Sequence, residues 1–153
     1  MTLRVPIQRV EDAGDLPLPR YATEGAAGMD LYAALPAEIS LAPGERSLIP
    51  TGVRLALPEG YEAQVRPRSG LALRHGLTLL NAPGTIDSDY RGVVSVLMIN
   101  LGQAAARIRR GDRVAQIVVA PVARVDWVEE AGELPATTRE GGGFGSTGSA
   151  LDG

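Results

Sequence analysis

Turn signals at short intervals are the feature that most limits how this chain can fold. Ala-Pro-Gly at 42–44, Leu-Pro-Glu-Gly at 57–60, Asn-Ala-Pro-Gly at 81–84 and Arg-Arg-Gly-Asp at 109–112 each interrupt an apolar or alternating run. Proline and glycine end regular structure because proline fixes φ and glycine leaves it free. Between these breaks, no stretch longer than about ten residues keeps a helical period. We therefore expect a chain of many short strands.

The runs between the turns define the expected secondary structure. The strands are expected at 3–10, 29–35, 38–41, 47–57, 61–66, 77–80, 93–101 and 113–122. Strands at this spacing favour an antiparallel sandwich or barrel, so the predicted fold class is all-β. One short helix is expected at 70–75, with Ser69 as its N-cap and Gly76 just past its end.

Composition indicates one domain with few aromatic side chains in its core. The 153 residues are 44% hydrophobic but only 4% aromatic, so Val, Ile, Leu and Ala must fill the interior. From Glu129 the apolar content falls, and a glycine-rich tail follows. We predict a β-barrel domain over 1–128 and a mobile arm over 129–153.

The inventory of side chains excludes several kinds of site. The chain has no cysteine and one histidine, which excludes disulfides, thiolate zinc sites and a cysteine nucleophile. The net charge of −3 argues against general nucleic-acid binding, and no run approaches a membrane span or a signal peptide. We expect a soluble, cytoplasmic protein. All 15 basic residues are arginine, so a phosphate site must use arginine forks, hydroxyls and backbone amides rather than a Walker A lysine.

Two segments combine turn residues with reactive groups. In Asn-Ala-Pro-Gly-Thr-Ile-Asp, Asp87 follows a β-branched pair, which is typical of a strand end that holds a carboxylate at a pocket rim. A polar hairpin without catalytic function is the alternative. In Arg-Pro-Arg-Ser-Gly-Leu-Ala, two arginines and a hydroxyl stand at a strand-to-helix junction suited to phosphate. Ser69 as a plain N-cap is the alternative there, and His75 is interpreted as structural because it lies on the wrong side of the helix to pair with Ser69.

Two further segments place a polar residue in an apolar strand, and the tail poses a separate question. Asp30 needs a partner if it is buried, but it can also face solvent on an alternating strand. For Gln116, an edge or surface position is the simpler interpretation. The tail at 139–148 contains the only phenylalanine, Phe144, and is either a flexible linker or a phosphate-wrapping loop.

Taken in order, five segments resemble the five motifs of the trimeric deoxyuridine triphosphatase (dUTPase) family. They read AAGMDLYA, PRSGLA, NAPGTIDSDYRGVV, RRGDRVAQIVV and REGGGFGSTG, and they span 26–148. The resemblance implies a distorted jelly-roll β subunit and a homotrimer with three active sites at subunit interfaces. Each site would draw residues from all three chains, and the C-terminal arm would close over the site of a neighbouring subunit. The implied reaction is hydrolysis of dUTP to dUMP and pyrophosphate by water attack on the α-phosphorus, with Mg²⁺ held by the triphosphate and water. It would limit uracil incorporation into DNA and supply dUMP for thymidylate synthesis.

The resemblance also implies roles for particular residues. Asp87 is the implied base that deprotonates water, and Asp30 is an implied supporting residue near the phosphates and metal. Uracil, sugar or hairpin contacts are implied for Asn81, Gly84, Thr85, Ile86 and Tyr90, and Tyr90 excludes a ribose 2′-OH. Phosphate contacts are implied for Arg68, Ser69, Gly70, Gln116, Ser146 and Thr147. Coverage of the nucleotide is implied for Arg139, Phe144 and Gly145, with the Phe144 ring over the uracil.

Two departures and two alternatives accompany this resemblance. Glu140 follows Arg139 where the family often has glycine, which brings a negative charge toward a triphosphate. Asp89 occupies a variable position and receives no role. A dCTP deaminase of the same fold is one alternative, but those enzymes use a catalytic glutamate where this chain has Asp87. The other alternative is a nucleotide-sensing regulator without catalysis.

Overall fold

The computed structural model of the protein describes residues 2–143. Within that range the chain forms eleven strands, one α-helix and one short 3₁₀-helix at Glu11–Ala13. The strands are β1 Ile7–Arg9, β2 Met29–Tyr32, β3 Ile39–Leu41, β4 Arg46–Pro50, β5 Val53–Leu55, β6 Tyr61–Arg66, β7 Leu77–Leu79, β8 Gly84–Ile86, β9 Ser95–Asn100, β10 Ala106–Ile108 and β11 Arg113–Pro121. The helix, α1, spans Ser69–His75. The expected β fold with one short helix is confirmed.

The strands form small antiparallel sheets around one core. The largest has the order β2-β11-β6-β8, and a three-stranded sheet has the order β4-β9-β7. Two-stranded pairs β1-β5 and β3-β10 complete the arrangement. The buried core is aliphatic, with Leu31, Ile49, Met98 and Ile117 among its largest fully buried side chains. Aliphatic residues therefore supply the core volume, as composition predicts.

The predicted strands differ from the observed ones where the turns are tight. The expected strand at 47–57 is two strands, β4 and β5, because Gly52 between them adopts a φ of 73°. That conformation belongs to the left-handed region and ends a strand. β8 and β10 were not predicted as separate strands, although the Thr85-Ile86-Asp87 pattern indicated a strand end where β8 ends. Each is defined by pairing with a distant strand, β8 with β6 and β10 with β3.

The helix α1 begins one residue earlier than expected. Arg68, in extended backbone, occupies the N-cap position without a side-chain cap, so the prediction of Ser69 as N-cap is wrong. Gly76 ends the helix with a φ of 68° and donates its N–H to the Ala72 carbonyl, as predicted. The Arg68 side chain is used elsewhere, in an ion pair with Asp30.

After β11 the described chain forms neither strand nor helix. Val122 donates its N–H to the Gly60 carbonyl, and residues 123–141 are all exposed. Trp127 is 89% exposed, beside exposed Val125 and Val128. An apolar side chain in this position is unfavourable in water, so the segment is suited to contact another surface. No helix in residues 2–143 is long and apolar enough to cross a membrane.

Candidate active site

The four-stranded sheet carries two of the predicted residues, Asp30 and Gln116, on its outer face. Gln116 of β11 is opposite Asp30 of β2 on one side and Arg66 of β6 on the other. Because side chains alternate along a strand, the neighbours Leu31 and Ile117 enter the core while Asp30 and Gln116 face outward. β11 is central in this sheet, so the expectation of an edge position for Gln116 is wrong.

Asp30 joins two arginines at one end of this face. Its Oδ1 lies 2.9 Å from Arg68 Nε and its Oδ2 lies 3.5 Å from Arg113 NH1. Arg68 NH1 also donates to the Arg113 carbonyl at 3.1 Å. The Asp30 side chain is only 25% exposed, so it is a paired carboxylate rather than a solvent-facing one. This arrangement holds two cations where an anionic ligand can approach.

Arg113 is a member of this cluster that the sequence did not reveal. The β2–β11 register shifts between Arg113 and Ala115, which makes a β-bulge. Val114 and Ala115 are consecutive and both buried. The extra residue therefore turns Arg113 outward, to the same face as Asp30. The side chain at position 113 would point into the core in a regular strand.

Gln116 lies beside the same cluster because it is hydrogen-bonded to Pro67, the residue before Arg68. Its Nε2 donates to the Pro67 carbonyl at 3.0 Å. Gly28 lies against this amide, and a Cβ at position 28 would overlap with Gln116 Oε1. Glycine at position 28 thus leaves room for the Gln116 amide to take this position where the first motif passes the fourth. Gly28 was not predicted as a site residue, although it stands in the first motif.

The start of α1 adds hydroxyl and backbone donors beside Arg68. Ser69 is exposed as the first helical residue, and Gly70 follows it. The first amides of a helix have no intrahelical acceptor, so they are available to an anion. His75 is exposed at the opposite end of α1, about 9 Å along the axis from Ser69. A Ser–His pair is therefore not formed in this structure.

The hairpin builds a separate cavity of about 300 Å³. Its lining includes all six hairpin residues predicted for the site, which are Asn81, Gly84, Thr85, Ile86, Asp87 and Tyr90. Apolar side chains, among them Val65, Leu79 and Leu97, form other parts of the wall. Apolar walls with a few polar groups at the rim suit a flat heterocyclic base.

Asp87 is placed at the mouth of this cavity by the end of β8. Its carbonyl accepts the Tyr90 N–H at 3.2 Å, which closes a turn that begins at Asp87. Arg91 NH1 donates to the Ser88 carbonyl at 2.7 Å and so braces the turn. Within residues 2–143 the Asp87 carboxylate has no hydrogen-bond or ion-pair partner, and it is exposed. It can therefore accept a proton from water.

Tyr90 forms one wall of the hairpin cavity. Its hydroxyl donates to the Val93 carbonyl at 3.1 Å, and its side chain is held over Gly92. A Cβ at position 92 would overlap with the tyrosine hydroxyl and would come 2.9 Å from Cε2 of the ring. The residue is 45% exposed, so one side of the ring remains available to a ligand.

The hairpin cavity and the arginine cluster lie apart on a single chain. Gln116 is opposite Arg66, whereas Ile86 is opposite Ala63, so Asp87 lies beyond Ala63 toward Glu62. Four residues along β6 and the two strand spacings across it place Asp87 about 16 Å from Gln116. A nucleoside triphosphate bound in the hairpin cavity would need phosphate ligands that lie closer to Asp87 than Gln116 of the same chain does.

The fifth motif is only partly within the described residues. Arg139 is exposed, and its Nε donates to the Gly142 carbonyl at 2.8 Å. Phe144, Gly145, Ser146 and Thr147 lie outside the described residues, so their predicted contacts are untested.

Comparison with known proteins identifies the family. The sequence profile described as dUTPase matches residues 15–148. The chain belongs to the dUTPase family. It is 56% identical over 148 residues to the deoxyuridine 5'-triphosphate nucleotidohydrolase of Thermoanaerobacter sp. (strain X514), covering 97% of this chain and 99% of the relative. It is 60% identical over 134 residues to the enzyme of that name from Roseobacter denitrificans, covering 87% and 88%.

Solved structures of dUTPases share the fold. A Staphylococcus bacteriophage 80alpha dUTPase with dUPNHPP superposes with a TM-score of 0.85 at 23% identity, covering 97% of this chain and all of that one. A mutant dUTPase from phage phi11 of S. aureus gives a TM-score of 0.75 at 20% identity, covering 85% and 98%. At these identities the likeness concerns the fold. The dUTPase-type fold expected from the five motifs is thus confirmed.

Proposed function

We propose that this protein is an enzyme that hydrolyses dUTP to dUMP and pyrophosphate. The observation that carries the proposal is the hairpin cavity, which is lined by six hairpin residues of the third motif in a chain of the dUTPase family. The relatives with 55–60% identity carry the name deoxyuridine 5'-triphosphate nucleotidohydrolase, and they cover 87–99% of this chain. Identity at this level extends to the activity.

The hairpin cavity is the proposed binding site for the deoxyuridine. Asn81 and the backbone of Gly84 to Ile86 face it and supply donors and acceptors for one edge of uracil. Cytosine presents the reverse pattern at its N4 edge, and a mismatched buried polar group costs more than a lost methyl contact. The Tyr90 ring packs under the sugar, where a ribose 2′-OH would collide with it.

Asp87 is the proposed general base. Its carboxylate accepts a proton from water as the water oxygen attacks the α-phosphorus. The bond between the α-phosphorus and the oxygen bridging to the β-phosphorus breaks, and pyrophosphate leaves with that oxygen. Arg68, Gln116 and the first amides of α1 are suited to stabilise the charge on the phosphate oxygens, which is the main task in phosphoryl transfer.

The side chains fit a Mg²⁺ ion that arrives on the triphosphate. In residues 2–143, no three His, Asp or Glu side chains converge on a metal position, and both Asp30 oxygens face arginines. Magnesium keeps several waters and commonly binds substrate phosphates, so an all-protein cage is unnecessary. When bound, the ion neutralises phosphate charge, and Asp30 supports that region through Arg68 and water.

A second copy of the chain is proposed to complete each site, within a homotrimer. Asp87 and Gln116 are about 16 Å apart on one chain, so the phosphate ligands beside Asp87 come from another copy. Apolar Leu48, Leu80 and Leu101 are exposed, and Leu48 lines the hairpin cavity. A surface of this kind beside the site is suited to an interface.

Mixing two inactive variants tests the shared site. Asp87→Asn and Arg68→Ala each disable a different half, so their co-expression should restore about a quarter of the wild-type activity. Random assembly places complementary chains at about one interface in four. Each variant expressed alone is the control. No recovery in assembled mixtures would indicate that each chain builds its own site.

The proposed activity is tested with four nucleotides in parallel. Pyrophosphate release with Mg²⁺ is measured for dUTP, UTP, dTTP and dCTP, and dUTP should be hydrolysed far faster than the others. Deamination of dCTP would instead favour the deaminase of the same fold. Tight dUTP binding without turnover would favour a nucleotide-sensing regulator. Comparable rates for UTP would contradict the role proposed for Tyr90.

A further inference from the structure

The start of the fifth motif is held by a pair of reciprocal hydrogen bonds. The Thr137 N–H donates to Glu140 Oε1 at 3.0 Å, and the Glu140 N–H donates to Thr137 Oγ1 at 3.1 Å. This is the geometry of a capping box, in which a threonine and a glutamate three residues later satisfy each other's backbone amides. Here the box closes a free-standing turn rather than a helix.

The same turn continues through Arg139 to Gly142. The Gly142 N–H donates to the Arg139 carbonyl at 3.0 Å, and Arg139 Nε donates to the Gly142 carbonyl at 2.8 Å. Glu140 is the second residue of this β-turn and has a φ of 46°. Within residues 2–143 it is the only residue other than glycine with positive φ. The left-handed conformation is unfavourable for a residue with a Cβ.

These contacts explain how a glutamate occupies a position whose positive φ favours glycine. Its carboxylate is turned back onto the Thr137 amide. The side-chain hydrogen bonds offset the backbone cost. A glycine would adopt the same φ without strain, but it has no side chain to accept the Thr137 N–H.

We propose that Glu140, acting through Thr137, is a positioning residue for the nucleotide-covering arm. The reciprocal turn fixes the backbone from Thr137 to Gly142, so Arg139 leaves it in a defined direction. The inference rests on the proposed function, since it takes Arg139 to cover the nucleotide as the resemblance to the dUTPase family implies. Pre-ordering this segment reduces the entropy lost when the arm closes, which strengthens substrate binding.

Four variants at position 140 test the proposal by steady-state kinetics with dUTP. Glu140→Gln keeps the oxygen acceptor and should leave KM within about twofold of wild type. Glu140→Ala keeps the backbone strain and loses the acceptor, so KM should rise about 3- to 10-fold. Glu140→Gly should lie between them, and Glu140→Asp, which is too short to reach the Thr137 amide, should resemble Ala. kcat should change by less than about twofold, because closure stabilises the bound substrate and the transition state alike.

Variants of Thr137 test the other half of the reciprocal hydrogen bonds. Thr137→Ser retains the hydroxyl and should behave as wild type, whereas Thr137→Val removes only the acceptor and should resemble Glu140→Ala. Because the two residues form one unit, the double variant Thr137→Val with Glu140→Ala should be little worse than either single variant. Additive effects, or a lower KM for Glu140→Gly than for wild type, would overturn the proposal.

A measurement without substrate separates this inference from the proposed function. Amide hydrogen exchange of the full chain should show faster exchange at Thr137 in Glu140→Ala than in Glu140→Gln. Equal exchange in the two variants would overturn the proposal even if dUTP is hydrolysed. The expected difference would support the turn even if dUTP is not the substrate. Wild-type turnover of dUTP decides the proposed function independently.

Discussion

Arg68 Nε lies 2.9 Å from Oδ1 of Asp30, so the arginine proposed to contact phosphate is held by a carboxylate before any ligand binds. Arg113 NH1, from the neighbouring strand β11, lies 3.5 Å from Oδ2 of the same carboxylate. Asp30 therefore orients the Arg68 side chain. Asp30 holds Nε of the Arg68 guanidinium and the Arg113 carbonyl holds NH1, so within residues 2–143 NH2 is the nitrogen left for an anion.

Asp30→Ala should reduce kcat/KM for dUTP by about 10- to 100-fold, because two arginines lose the group that orients them. The kinetic constants are measured from initial rates of pyrophosphate release. Asp12→Asn, an exposed carboxylate far along the sequence from the motifs, is the control and should retain wild-type rates. Full activity of Asp30→Ala would mean that the Arg68 side chain is oriented correctly without the Asp30 carboxylate.

Gly28→Ala should displace the Gln116 amide with little loss of fold stability. The added Cβ would overlap with Gln116 Oε1, which is the far end of a flexible side chain and can move. Loss of its bond to the Pro67 carbonyl should lower kcat for dUTP by about tenfold. Gly25→Ala is the matched control, since its Cβ would meet nothing within 4 Å. Equal rates for the two variants would refute this role of Gly28.

Gly92→Ala should weaken the discrimination between dUTP and UTP. The new methyl group would overlap with the Tyr90 hydroxyl and displace the ring that is proposed to exclude the 2′-OH. We expect the ratio of kcat/KM for dUTP to that for UTP to fall at least about tenfold. Gly14→Ala, whose Cβ has open space, should keep the ratio. An unchanged ratio in Gly92→Ala would point to another determinant of sugar selection.

The Asp15–Arg110 pair should make stability depend on pH at acidic values. A hydrogen bond from the Arg110 side chain holds the pKa of Asp15 below its ordinary value of 3.8. The stabilisation is therefore present above the unfolded pKa and is lost as the pH falls through the lower folded value. Asp15→Asn should have a slightly lower Tm than wild type at neutral pH, because the pair is exposed. The two Tm values should converge as the pH falls below 3.8 and through the lower folded pKa; a difference that stays constant over that range would exclude this linkage.

The sequence predicted the parts of the fold that depend on local chemistry. Glycine and proline mark the strand ends, and β6 spans Tyr61–Arg66 as expected. Gly76 ends α1 because the left-handed backbone there suits glycine. β8 and β10 escape prediction because pairing with a distant strand decides them rather than a local pattern.

The site was predictable as a set of motifs but not as an arrangement. The five segments revealed Asp87 and the hairpin because residue type and order carry that information. They did not reveal Arg113, whose outward direction depends on a β-bulge defined by the pairing of β2 with β11. The resemblance implied sites shared between subunits, but the distance between Asp87 and Gln116 on one chain follows only from the sheet register.

The most direct test of the proposed mechanism is Asp87→Asn, measured for both turnover and nucleotide binding. The amide has the size of the carboxylate but cannot take a proton from water, so kcat for dUTP should fall by about 10²- to 10⁴-fold. The Kd for a non-hydrolysable dUTP analogue should stay within about threefold of wild type, because Asp87 is not proposed to bind the base. Turnover within tenfold of wild type would contradict Asp87 as the general base.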